Sequence, residues 1–166
     1  MTNTYHATPY DISATGFYFS SYDDYLAKAA DHRNAYGQIV EEFEIQFIDG
    51  DAFALFDALE VTQATLSAWF DQFEGLDGDE ARKAIYLASH EGCAMDQILE
   101  QLEDVYLFEG TATEYAESYI KETGLLDQIP ENLRFYFDVE AFARDLQLGD
   151  DIAVIEIDER SFVVQR

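Results

Sequence analysis

Between Glu122 and Leu148 the chain punctuates itself so firmly that the local fold has few options. Gly124 stands where a helix ends, because a left-handed residue there costs glycine nothing, and Pro130 stands where a helix can begin without an N–H. Two short helices are expected after it. Asp138 can cap the second, whose Val139, Phe142, Ala143 and Leu146 fall on one face at spacings of three and four. Leu133, Phe135, Tyr136 and Phe137 form a run too apolar to be left in water, so it is expected in the core or in an interface. Nothing in the run is a nucleophile.

Upstream, Met1 to Thr15 reads as short of apolar residues for a full first strand. Thr15-Gly-Phe-Tyr-Phe19 reads as a short aromatic strand, followed by a helix from Tyr22 to about His32 that Ser20 or Ser21 caps and whose apolar face is Leu26, Ala29 and Ala30. Val40 to Ile48 alternates, with Phe43, Ile45 and Phe47 on one face and Glu42, Glu44 and Gln46 on the other. Asp49-Gly50-Asp51 ends that strand in a turn. The period then becomes helical: Phe53, Phe56 and Leu59, later Leu66, Trp69, Phe70 and Phe73, then a helix capped by Asp79 and ending at Gly92, then Met95 to Leu102. Val105 to Phe108 is a strand candidate, Thr111 and Glu114 make a capping box for a helix through Ile120, and Ile152–Ile157 with Ser161–Val164 reads as a closing hairpin. The reading is α+β, in three small subdomains: an N-terminal α+β unit (1–61), a central helical unit (62–104) and a C-terminal α+β unit (105–166). Pieces of this size are marginal alone and are expected to lean on one another.

Charge sets the functional limits. Thirty-five acidic residues against nine basic ones leave −26, while 48% hydrophobic and 15% aromatic residues suffice for a dense core and argue against a disordered tail. Such an imbalance repels nucleic acid, which argues against DNA or RNA as a direct ligand. The start of the chain lacks the basic and apolar segments of a secretory or transit peptide, no run approaches a membrane span, and the single Cys93 allows no internal disulfide, so a cytoplasmic location away from membranes is expected.

Metal, cofactor and catalytic readings find little support. A calcium loop needs glycine at its sixth position, and Arg82 stands there after Asp77 and Asp79; Phe53 occupies the fifth position after Asp49 and Asp51. His90 and Cys93 have no second His/Cys pair to close a zinc site. His6, His32 and His90 lie in unrelated contexts, Ser89, His90 and Glu91 point in different directions on a helix, and no glycine-rich phosphate loop is present. No metal, no cofactor and no enzymatic activity are expected.

The acids are distributed unusually. Between Arg33 and Arg82 there is no Lys or Arg but there are Glu41, Glu42, Glu44, Asp49, Asp51, Asp57, Glu60, Asp71, Glu74, Asp77, Asp79 and Glu80. Glu91, Asp96, Glu100, Glu103, Asp104 and Glu109 continue the series after Lys83. An ordinary solvated face interleaves signs, because opposite charges at helical spacing stabilise and like charges cost. At about one charge per 1.7 Å of duplex, 26 uncompensated charges correspond to roughly 44 Å of DNA. The scale suits mimicry of a nucleic-acid backbone, with an acidic adaptor or chaperone for some other basic nucleic-acid-binding protein as the alternative.

The stretch from 115 to 148 also resembles the C-terminal signature of the ArdA family of antirestriction proteins. Tyr119, Ile120, Glu122, Thr123, Gly124, Pro130, Tyr136, Asp138, Ala141, Arg144, Asp145 and Leu146 carry the likeness, and Gly16-Phe-Tyr-Phe-Ser20 with Phe43-Glu-Ile-Gln-Phe-Ile-Asp49 resembles the family's N-terminal part. The resemblance implies a product of mobile genetic elements that mimics DNA and inhibits type I restriction-modification enzymes by filling the DNA-binding groove of the methyltransferase core. It further implies an elongated three-part protomer and a homodimer. Leu125, Leu126, Pro130, Leu133, Phe135, Tyr136, Phe137, Asp138, Phe142, Arg144 and Asp145 are then the candidate dimer contact, because two protomers of −26 need an apolar patch at which to meet.

Overall fold

The structure is a computed structural model that describes residues 2–165; Met1 and Arg166 lie outside the described residues. Two compact units are present, one running to Leu99 and the other starting at Glu100. Each has its own antiparallel sheet, and the fold class is α+β.

In the first unit the central strand is β1 (Thr4–Pro9), flanked by β2 (Phe17–Phe19) and β3 (Phe43–Asp49). A full first strand therefore exists where the apolar content looked too low. Its alternation is strict, with Tyr5 and Ala7 wholly buried, and the Tyr5 ring packs 5.2–6.4 Å from those of Phe19, Phe47, Phe56, Trp69 and Phe70. One tyrosine does the work of an aliphatic run. β3 holds the expected alternation, with Phe43 and Ile45 buried and Glu44 and Gln46 exposed.

Helix α1 (Tyr22–Ala29) starts at the Ser21 cap, whose hydroxyl accepts the Asp24 N–H, but it stops three residues before His32. Residues Arg33 and Ile39 pair instead across a tight turn at Asn34–Gly37. The buried residue of α1 is Tyr25, not Leu26, which is exposed: the aromatic face of β2 selects a ring partner, at 5.2 Å from Phe19.

The rest of this unit is helical, as the periodicity indicates. After α2 (Phe53–Ala58), α3 (Leu66–Ala68) runs into a single wide turn at Trp69–Phe73, and Leu66, Trp69 and Phe73 are all fully buried. Phe53, expected inward, is exposed, while Leu55, Phe56 and Leu59 supply the buried face of α2. α4 (Gly78–Ser89) is capped by Asp77, not Asp79: Gly78 occupies the first helical position, so the Asp77 carboxylate reaches the N–H groups of Asp79 and Glu80 at 2.9 Å each. α5 (Met95–Gln101) begins in this unit and carries the chain past its end at Leu99, and one tight turn at Leu102–Asp104 follows in the second unit. Segments 1–61 and 62–99 share one aromatic core, because Trp69 Nε1–H donates to Tyr5 Oη at 2.9 Å inside it.

In the second unit the strand order is β4 (Leu107–Glu109), β6 (Arg160–Gln165), β5 (Ile152–Ile157). Asp158 and Glu159, both with positive φ, make the two-residue turn that matches the twist of β5 and β6. The capping box of Thr111 and Glu114 opens α6 (Ala112–Thr123), and Gly124 closes it at φ 63°. A short turn at Leu125–Gln128, α7 (Glu131–Arg134) after Pro130, and α8 (Val139–Leu148) after the Asp138 cap complete the chain's most heavily punctuated stretch. Tyr115, Ile152 and Val163 form a buried core cluster, with Phe108, Ala112 and Leu146 packed against them. Among the described residues no helix is long and apolar enough to cross a membrane.

Candidate functional site: an acidic surface

The local rules that bury the aromatic residues also expose the carboxylates. The two-residue period of β3 that turns Phe43 and Ile45 inward leaves Glu44 outward, with Glu41 and Glu42 exposed just before it. Asp49 and Asp51 flank Gly50, whose φ of 132° makes the turn and whose missing Cβ leaves room for Asn3. Asp57 and Glu60 stand clear of the buried side of α2, and Asp71 projects from the wide turn while Trp69 and Phe73 point in. Asp77, Asp79 and Glu80 crowd the start of α4; Glu91, Asp96, Glu100, Glu103, Asp104 and Glu109 are exposed further on.

Of the eighteen carboxylates singled out by sequence, Glu74 alone is half-buried. It accepts from Tyr5 Oη–H at 2.7 Å and from Asn3 Nδ2–H at 3.1 Å, which ties the wide turn to β1. Burial and the neighbouring Glu74 push the Tyr5 hydroxyl far above the ordinary tyrosine range, so it stays a donor. Sequence reasoning missed this network of Asn3, Tyr5, Trp69 and Glu74; the alternation of Tyr5 and Ala7 against Thr4, His6 and Thr8 is the signal that points to a buried Tyr5.

Few of the exposed carboxylates are neutralised. Asp79 takes up Lys83 at 3.1 Å and Arg82 at 3.9 Å, so the two bases in mid-chain fold back onto one acid, and Glu109 meets Arg160 at 3.4 Å. Three more acids are engaged by local hydrogen bonds. N–H groups of Glu80 and Asp79 hold the Asp77 carboxyl below its ordinary value, the Thr111 N–H does the same for Glu114, and the Asn34 amide with Ser13 does so for Asp11. All three therefore remain charged at neutral pH.

The motif residues divide into two groups. Asp138 is structural, accepting the Ala141 N–H at 2.9 Å, and Leu125, Leu126, Phe137 and Phe142 are half-buried, the last two with rings 5.7 Å apart. Pro130, Arg144 and Asp145 are exposed. Leu133, Phe135 and Tyr136 do not enter the core of this protomer: they are 48%, 90% and 78% exposed. Arg134 beside them is occupied by the Ile129 carbonyl at 3.1 Å and Asp127 at 3.6 Å.

Among the described residues no group of three or more His, Cys, Asp or Glu side chains is placed to hold a metal. His6 contacts Thr8, His32 the carbonyl of Thr15, and His90 stacks on Tyr86, whose hydroxyl donates to Glu91. A cleft of about 430 Å³ in the second unit is lined by Glu117, Ile120, Lys121, Gly124, Leu126, Asp127 and Val139, a set without a nucleophile and base in the arrangement acyl transfer needs.

Two small antiparallel sheets with helices against them, carrying a broad display of exposed carboxylates, define an acidic α+β protein. The family model described as antirestriction protein (ArdA) matches residues 6–158, nearly the whole of the 166-residue chain. The chain belongs to the ArdA family, and antirestriction is what that membership implies. Comparison with curated proteins gives no match.

Proposed function

We propose that this protein blocks type I restriction-modification enzymes by mimicking DNA, its carboxylates occupying the groove in the methyltransferase core that otherwise holds the duplex. The observation that carries this is the exposure of seventeen of the eighteen carboxylates from Glu41 to Glu109, with few neighbouring bases to neutralise them. A phosphate-like surface acts through summed field and counterion release, so the attraction is distributed over many groups. The protein performs no chemistry and does not bind nucleic acid; it displaces it in the cytoplasm.

The working form in this proposal is a homodimer joined through Leu133, Phe135 and Tyr136. Their exposure in one protomer supports an isologous contact, which would bury the rings against their own copies at a place where Arg134 lowers the acidic density. The test of function uses purified type I enzyme and unmodified DNA carrying its recognition sequence. Cleavage and methylation should both fall as the protein is titrated in, and cleavage undiminished at saturating protein would refute the proposal.

A further inference from the structure

The first unit carries an apolar feature that a duplex mimic has no need of. Asp11–Ala14 and Asn34–Gly37 are tight turns, closed by Ala14 N–H to the Asp11 carbonyl at 3.1 Å and by Gly37 N–H to the Asn34 carbonyl at 3.0 Å. They are bolted to each other. Ala35 N–H donates to the Ser13 carbonyl at 3.0 Å, and Asn34 Nδ2–H donates to Asp11 Oδ2 at 2.7 Å. The other Asp11 oxygen takes both the N–H and the hydroxyl of Ser13, and Asn34 Oδ1 takes the N–H groups of Tyr36 and Gln38.

The polar groups of these turns are thus spent on internal bonds, and apolar side chains are what the turns present outward. Ile12 is fully exposed at 101%, Tyr36 is 81% exposed, Tyr10 66% and Ile39 52%. A single exposed Ile needs no explanation, but four large apolar groups on two interlocked turns make a patch, and patches of this kind mark interaction sites. Its rigidity favours binding, because little conformational freedom remains to be lost on contact.

Charge identifies the occupant. Tyr10 N–H donates to the Glu42 carbonyl at 3.2 Å, which sets the patch beside exposed Glu41 and Glu42. The nearby bases are engaged: Arg33 pairs with Asp31 at 2.7 Å and donates to the Gly37 carbonyl, and Lys28 pairs with Asp24 at 2.9 Å. His32 is held by the carbonyl of Thr15. An apolar tip with an acidic rim repels a second copy of itself, an anionic membrane and nucleic acid alike, and matches a basic protein surface with an apolar recess.

Resting on the DNA-mimic reading above, we propose that the interlocked turns at Tyr10–Ala14 and Asn34–Ile39 are an anchor that seats in the target enzyme's basic DNA-binding face. It gives the inhibitor a contact that salt does not screen and that DNA does not make. The carboxylates supply attraction and encounter rate, and the anchor supplies residence time.

The experiment compares wild type with the full-length double variant Ile12→Ser, Tyr36→Ser for binding to a purified type I methyltransferase at about 0.1 M and about 0.5 M salt. Wild type should remain bound at the higher salt, where duplex DNA falls away. The double variant should lose about 30-fold or more at both salts, the scale of a buried aromatic hot spot, with an unchanged salt slope. Circular dichroism and Trp69 emission check the fold, and Ile12→Ser alone, at a fully exposed position, should move affinity the same way by a smaller factor. Unchanged affinity in both variants, with DNA still displaced, overturns the anchor and leaves the mimic standing. A change in sedimentation without a change in enzyme affinity assigns the patch to a second copy and also overturns it. Failure of wild type to bind the enzyme removes both readings.

Discussion

Replacing Tyr5 by Phe isolates a single oxygen at the centre of the first unit. The ring stays, with its contacts to Phe19, Phe47, Phe56, Trp69 and Phe70, while the hydroxyl between Trp69 Nε1 at 2.9 Å and Glu74 Oε1 at 2.7 Å is lost. Trp69 is wholly buried, so its N–H is stranded at a cost of about 1–3 kcal/mol. The lost bond to the carboxylate is worth about 1.5–3 kcal/mol, offset in part because half-buried Glu74 keeps Asn3 and can reach water. The net loss is about 2–4 kcal/mol, which lowers the urea midpoint by roughly 1–2 M at an unchanged m-value. Trp69 is the chain's one tryptophan, so its emission reports the transition at this site. The folded-state pKa of Tyr5 is raised, so its contribution is complete below the ordinary tyrosine value near 10 and is lost as pH climbs from there toward the folded value. The gap between wild type and Tyr5→Phe should accordingly narrow above about pH 10. A gap below about 0.5 kcal/mol at neutral pH would mean that the Tyr5 hydroxyl is not what satisfies the buried Trp69 N–H.

Other perturbations separate surface from scaffold. Asp138→Ala removes the acceptor for the Ala141 N–H and should cost about 1 kcal/mol in chemical denaturation, with α8 fraying first in hydrogen exchange. Phe135→Asp and Tyr136→Asp lie at exposed positions and should give folded monomers by sedimentation and circular dichroism; folded dimers after both changes would take this segment out of the interface. Amide replacements of single exposed acids such as Glu44 or Asp57 should alter inhibition of the type I enzyme less than twofold, whereas neutralising six or more together should weaken it at least tenfold, a consequence of summed field. One exposed carboxylate whose loss abolished inhibition in a folded protein would contradict that.

What could be read in the sequence was whatever a few adjacent residues decide. The alternation of β3, the capping box of Thr111 and Glu114, the left-handed Gly124, the Asp138 cap and the closing hairpin are local bargains between a side chain and its own backbone. The failures are tertiary. β1 looks short of apolar residues in the sequence because its burial comes from one ring and one methyl, Tyr5 and Ala7, and the rings that pack on Tyr5 lie up to 65 residues away. Tyr25 displaced Leu26 for the same reason, since α1 meets an aromatic sheet. The choice between Asp77 and Asp79 as the cap of α4 turns on Gly78, which lies between them, entering the helix. Glu74 looks like any other acid in a run of acids, and only the approach of Tyr5 and Asn3 from the other end of the unit distinguishes it. Tyr10, Ile12, Tyr36 and Ile39 are scattered in sequence, and the bonds between Asp11, Ser13, Asn34 and Ala35 are what collect them.

If these carboxylates stand in for phosphates, protein and duplex must compete for one groove, and direct competition tests this. A type I methyltransferase is loaded with a fluorescent duplex carrying its recognition sequence, and the protein is titrated in at several salt concentrations while anisotropy is read. A phosphate mimic should displace the duplex completely, with mutually exclusive occupancy and an apparent affinity that falls with salt in the manner of a polyanion though less steeply than that of DNA. A ternary complex in which duplex and protein are bound together, or an affinity indifferent to salt, would contradict it.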